Sequence, residues 1–262
     1  MSTNPYQATE TNGQPALTYQ RISATPIEYL KQSYELIQSN YMLFLGITFC
    51  GFLLGSLAPM GILMGPMFVG IFMCFLAQES NGKVKFDILF KGFDQFVPSL
   101  LVVLIMIGCN LAATLVCGLI MLVCFLVIIG IAQTGFSPEA LGVISIGGFV
   151  LGYGLLIVVS ILSVVPFAFC FQLIAEHKMS TSDAVRTSAR AVRHNLMPLA
   201  LTYVSFSFIS FLAALLCYVP LILLLPVQIG AAFIIYRQVF PRQNATASVE
   251  DQTSHGQFED PA

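Results

Sequence analysis

Four stretches of the chain, residues 41–77, 99–132, 141–175 and 196–236, contain no aspartate, glutamate, lysine or arginine. Nothing constrains the fold more tightly. A run of about 20 predominantly apolar residues is what an α-helix needs to cross the hydrocarbon core of a bilayer, and such a helix satisfies its own backbone there. Each block holds at least one span, and the first and last, broken near Pro59 and Pro220, hold two, which gives six. Composition agrees: 57% of the side chains are hydrophobic and 9% are charged, against roughly 25% charged in soluble domains. The expected fold is all-α, a polytopic membrane helical bundle over residues 26–240. The middle blocks are long, since 34 residues from 99 to 132 make about 51 Å of helix against about 30 Å of hydrocarbon. Either these helices project beyond one leaflet, or each splits near Gly118 and Gly154 and the count becomes eight.

The 11 basic residues give the bundle an orientation. Arg21 and Lys31 precede the first span, and Lys83, Lys85 and Lys91 lie between the second and third. Lys178, Arg186, Arg190 and Arg193 lie between the fourth and fifth, and Arg237 and Arg242 follow the sixth. The alternate connections carry none, and Glu139 alone marks the other side. The positive-inside rule therefore puts both termini and the two long loops in the cytoplasm. Residues 1–25 and 241–262 hold too little apolar content to pack and are expected to be disordered cytoplasmic tails. The first 26 residues lack an apolar h-region, so no cleavable signal peptide is expected and the first span drives insertion.

A threefold pattern runs along the chain. The segments PMFVGIFMCFLAQE, PFAFCFQLIAEHK and PVQIGAAFIIYRQ begin at Pro66, Pro166 and Pro226, each followed four residues on by a small residue, Gly70, Cys170 and Gly230. The first charge then arrives ten to thirteen residues after the proline, at Glu79, Glu176 and Arg237. A proline inside a helix removes a backbone donor and frees a carbonyl, which lipid tolerates only if a neighbour satisfies the group. The spacing predicts three kinked helices on a pseudo-threefold axis, with the small residues facing it and allowing close approach. The simpler alternative is that prolines are common in membrane helices.

An amphipathic segment precedes each hairpin. Ile27, Leu30, Tyr34 and Ile37 share one helical face, behind an N-cap at Thr25, Pro26 and Glu28. Phe86, Leu89, Phe90, Phe93 and Phe96 share the second, and Ala184, Val185, Ser188, Ala191 and Val192 the third, opposite Arg186, Arg190 and Arg193. Each reads as an interfacial helix with its apolar face toward acyl chains. The expected unit is interfacial helix, outward span and inward kinked span, used three times.

Catalytic chemistry has little to work with. No titratable group lies inside a span, and no nucleophile elbow, P-loop or dinucleotide fingerprint occurs. The seven cysteines lie in apolar blocks without a CxxC pair and read as small hydrophobes. His177 and His194 bracket the arginine-bearing loop near Glu176 and Asp183, but without metal-ligand spacing, and neither metal nor cofactor is expected. Asn110, Gln172, Gln228, Thr48, Thr114, Ser205, Ser207 and Ser210 either join helices by hydrogen bonds or, for Asn110, Gln172 and Gln228, line a path for a small solute. Lys178 with Arg186, Arg190 and Arg193 is either ordinary positive-inside charge or a capture edge for anionic phospholipid. Nucleic-acid binding is not expected, because acidic residues offset much of this charge and no recognition module exists.

At AVRTSARAVRHNLMPLALTYVSFSF, with a closing span that ends AAFIIYRQ, the chain resembles bacterial six-helix membrane proteins. These are similar to the membrane domain fused to some glycerophosphodiester phosphodiesterases. The likeness covers roughly residues 25–240 and carries no catalytic residues across. The expected role is a non-enzymatic scaffold or accessory subunit that contacts lipid, as an oligomer or beside a membrane-protein partner. The alternative is a transporter or channel for a lipid or small neutral solute.

Overall fold

The computed structural model describes residues 20–57, 61–132, 137–216 and 218–241. Nearly all of both expected tails, with Pro59 and Arg242, lie outside them. Among the described residues all regular structure is helical: α1 (Pro26–Ile37), α2 (Tyr41–Leu57), α3 (Met64–Asn81), α4 (Phe96–Ala132), α5 (Pro138–Val164), α6 (Cys170–His177), α7 (Thr181–His194), α8 (Leu196–Leu216) and α9 (Tyr218–Val239). Short 3-10 segments join several of them, at Gln38–Asn40, Phe86–Gln95 and Val165–Phe167.

Five helical stretches are long and apolar enough to cross a membrane: Pro26–Leu57, Phe86–Gly130, Gly142–His177, Leu196–Leu216 and Val219–Val239. The stretch expected to form the second of six spans, Met64–Ser80, is apolar but shorter. Gly118 and Gly154 lie within the unbroken helices α4 and α5, so the division into eight spans has no break to support it. With 37 residues, α4 is about 55 Å long. It pairs chiefly with α5, and Leu115, Leu119, Leu122 and Leu126 along its C-terminal half are exposed.

The three prolines occupy three different local settings, where the sequence suggested one. Pro66 is the third residue of α3, in the first turn, where its missing N–H has no intrahelical partner to lose. Pro166 lies in the 3-10 turn that separates α5 from α6. Pro226 alone is inside an α-helix, a position that costs about 3 kcal/mol in an isolated helix.

The amphipathic segments also differ from the expectation. Helix α1 buries Tyr29, Ser33 and Ile37, while Ile27 is 77% exposed and Tyr34 51% exposed. Its contact face is thus Tyr29, Ser33 and Ile37 flanked by Leu30 and Leu36, and Ile27 and Tyr34 point outward beside Glu28, Lys31 and Glu35. Residues Phe86–Gln95 form a 3-10 helix, whose three-residue period puts Leu89 and Gly92 together on the buried side and Phe90 and Phe93 together on an exposed one, with Phe86 exposed at its first position. Helix α7 buries Ala184, Ser188, Ala191 and Val192 against protein, so its apolar face does not meet acyl chains.

The core lies where α1, α2, α3, α6 and α9 converge, around the fully buried Tyr29, Phe44, Phe75, Phe169, Phe233 and Tyr236. Phe75 of α3 stacks on Phe233 of α9 at 5.7 Å, and Phe68 of α3 stacks on Phe171 of α6 at 5.4 Å. Such ring pairs contribute about 0.5–1.5 kcal/mol each beyond their burial.

Candidate functional site

Each proline position is covered by an amphipathic segment from another repeat. Ser188 of α7 donates its hydroxyl hydrogen to the Pro166 carbonyl at 2.7 Å and accepts the Phe169 N–H at 3.1 Å, satisfying both sides of the α5–α6 break. Cys170 interacts with the same hydroxyl. Ser33 of α1 donates to the Val227 carbonyl at 2.7 Å, and Tyr41 of α2 donates to the Leu223 carbonyl at 2.6 Å, so the backbone on either side of Pro226 is served from the first repeat. At Pro66 the approach is backbone to backbone: a Cβ on Gly92 would collide with the Pro66 carbonyl oxygen and with Gly70, and one on Gly70 would collide with Leu89.

The small residues therefore face partners other than a common axis. Gly70 lies against the 3-10 segment Phe86–Gln95, Cys170 meets α7, and Gly230 meets Ser33 of α1 together with the Phe75 ring of α3. What joins the inward helices directly is large: stacked rings and an ion cluster.

That cluster unites the three charges that follow the prolines. Arg237 Nη2 and Nε lie 2.7 and 2.9 Å from Glu79 Oε2, and Nη1 lies 2.7 and 2.9 Å from the two carboxylate oxygens of Glu176. Tyr236 donates its phenolic hydrogen to Glu176 at 2.6 Å, and the His177 imidazole lies 3.8 Å from the same carboxylate. The guanidinium carbon lies 5.2 Å from the Phe233 ring centroid and 5.6 Å from that of Tyr236. With the Arg237 side chain 11% exposed and those of Glu176 and Glu79 17% and 29% exposed, one guanidinium ties the ends of α3, α6 and α9 together in a largely dry site.

Among the described residues, the polar residues that could line a path make separate helix contacts. Asn110 joins α4 to α5 by donating to Ser163 Oγ at 3.1 Å. Gln228 joins α9 to α8 by donating to Ser210 Oγ at 2.7 Å. Gln172 is buried on α6 with its Oε1 unpartnered, hydrogen-bonded to neither of them. The hydroxyls of Ser205 and Ser207 bond carbonyls of their own helix.

Arg186, Arg190 and Arg193, with Ala189 and His194, line an open concavity of about 550 Å³ on the outer side of α7. Lys178 lies outside that lining, in a left-handed C-cap after α6 with φ of 50°. A second concavity of about 610 Å³ shares Arg193 and His194 and runs between Ile161, Leu162 and Val165 at the end of α5 and Met197 and Ala200 at the start of α8. Arg21 also lines it. The fully buried Asn195, between α7 and α8, brings Arg21 there: its Nδ2 donates to the Gln20 carbonyl at 3.1 Å and its Oδ1 accepts the Ile22 N–H at 3.0 Å.

Sequence reasoning passed over Ser33 and Gly92, placed Ser188 only on an apolar face, and counted Arg21 only among the basic residues ahead of the first span. The signal for Ser188 was its place on the apolar face of α7; Arg21 left none, because its partners are some 170 residues away. The chain matches no known protein family, no curated protein and no solved structure.

Proposed function

We propose that the protein is a non-catalytic, multi-pass protein of the bacterial inner membrane that acts as a lipid-contacting scaffold or accessory subunit. In this reading the chain makes six spans in three hairpins, Met64–Ser80 being the shortest, with the ends of residues 26–240 on the cytoplasmic side. The observation that carries it is the closed junction of α3, α6 and α9, filled by buried rings and fastened by Arg237 between Glu79 and Glu176. In this reading the buried rings and the ion cluster leave a solute no route through the junction, and fixed helices present a constant outer surface to lipid and partners. The separation of Asn110, Gln172 and Gln228 into different helix contacts counts against the transporter alternative. The likeness to phosphodiesterase membrane domains fits an accessory role and supplies no activity.

Two measurements on the full chain test this. In vesicles containing the purified protein, movement of fluorescent lipid analogues and of small neutral solutes should equal that in protein-free vesicles. Native mass spectrometry of gently extracted protein should show a defined oligomer or a complex with another membrane protein. Saturable flux, or a bare monomer carrying a stoichiometric solute, overturns the scaffold reading in favour of transport.

A further inference from the structure

We infer that the cleft between the C-terminal end of α5 and the N-terminal end of α8 seats one anionic phospholipid, its phosphate held by Arg21 and Arg193 and an acyl chain running along Leu162 and Ala200. The inference rests on the lipid-contacting part of the proposed function and gives it a site and a ligand class.

The argument begins with two chemistries that meet in one place. Arg193 lines both concavities, so a cationic rim of Arg186, Arg190 and Arg193 is continuous with a cleft whose walls are aliphatic. Among the described residues no aspartate or glutamate lines either one. The cleft exists because α5 packs chiefly on α4 and α8 on α9, leaving the adjoining ends of α5 and α8 apart. Its volume of about 610 Å³ lies within the span of small-molecule sites, roughly 300–1,000 Å³.

The rim is also preorganised. Gln20 and Ile22, the neighbours of Arg21, are both held by Asn195, and the Gln20 N–H donates to the Val239 carbonyl at 2.9 Å. The backbone at Arg21 is therefore held at the cleft by contacts on either side, and less main-chain order remains to be lost on binding. Two planar guanidinium groups suit phosphate oxygens, which they meet with paired N–H donors. A free phosphate would occupy the rim and leave the aliphatic cleft unfilled. A zwitterionic lipid would fill the cleft but bring its own cation to the arginines. An anionic phospholipid satisfies both halves, and its axis follows the two flanking helices.

The test uses the full chain in mild detergent, titrated with dioleoyl phosphatidylglycerol or dioleoyl phosphatidylcholine and read by native mass spectrometry. One phosphatidylglycerol should be retained per chain in preference to phosphatidylcholine. The double change Arg21→Gln and Arg193→Gln should weaken retention about tenfold or more, from the attraction of two basic residues near a lipid surface. Removing two exposed lysines elsewhere, Lys83→Gln and Lys85→Gln, should change it less than about twofold, because remote charges are screened. Ala200→Trp, which fills the cleft, should weaken phosphatidylglycerol and leave inorganic phosphate unaffected, while Arg21→Lys with Arg193→Lys should keep most of the preference. Equal retention of the two lipids, or arginine variants no worse than the lysine control, overturns the site. So does Ala200→Trp retaining phosphatidylglycerol like the unaltered protein, which would mean an anion site without a chain. These outcomes are independent of vesicle flux and subunit stoichiometry, so the lipid site and the scaffold reading fail separately.

Discussion

Replacing Arg237 with glutamine should destabilise the protein by about 3–5 kcal/mol, the range for removing one partner of a buried ion pair. The magnitude follows from what is left behind. Glu79 and Glu176 both lie within 2.9 Å of the guanidinium, which is 11% exposed, and without it two carboxylates face each other where water enters poorly. The two acids are not equal. Glu176 takes both oxygens to Arg237, accepts from Tyr236 and is 17% exposed, whereas Glu79 offers one oxygen and is 29% exposed. Glu176→Gln should therefore cost about 2 kcal/mol and Glu79→Gln about 1 kcal/mol. Removing all three charges together, as Arg237→Met with Glu79→Gln and Glu176→Gln, should recover at least half of the loss seen with Arg237→Gln alone, since no uncompensated charge remains buried. The chain has no tryptophan, so unfolding in mixed micelles is best followed with a thiol-reactive fluorophore that reaches the fully buried Cys74 and Cys170. Stability is then extrapolated against the denaturing detergent. An Arg237→Gln protein within about 1 kcal/mol of the unaltered one, or a triple variant no better than the single, would refute the argument that this cluster fastens the three helices.

The same assay checks two further expectations. Ser188→Ala should cost about 2–4 kcal/mol, because it strips the acceptor from the Phe169 N–H and the donor from the Pro166 carbonyl at once, while Ser182→Ala on the exposed side of the same helix should be nearly neutral. Gly92→Ala should prevent close docking of the 3-10 segment on α3 and lower the yield of folded protein sharply. Gly118→Ala, with nothing within 4 Å of the added methyl, should be neutral or slightly stabilising in α4.

The inward segments show where sequence reasoning stops. Proline, small residue and first charge were legible as a repeat, and so was the need for something to satisfy the backbone around each proline. The donors were not: Ser188 stood out only as a polar residue on an apolar face, and Ser33 differs from other serines only in what lies opposite it. Glu79, Glu176 and Arg237 stood out as the first charges after three apolar runs, which marks a boundary and says nothing about one another. Only the packing of α3 and α6 against α9 turned three boundary markers into one cluster.

By itself the sequence determined an all-helical fold with four charge-free blocks long enough to cross a bilayer, because insertion is governed by apolar length and the absence of charge, properties counted residue by residue along one segment; it counted six spans, where the structure has five helical stretches of sufficient length. It also determined the order of segments and the spacing of the prolines. The tertiary structure alone decided that α1 packs through Tyr29, Ser33 and Ile37 with Ile27 outward, that α7 buries Ala184 and Ala191 in protein, that the small residues meet amphipathic segments, and that Arg21 joins Arg193. The physical reason is that lipid is as apolar as the side chains it surrounds. Burial gives one helix face little advantage over another, and the choice passes to shape and to hydrogen bonds between residues far apart in the chain.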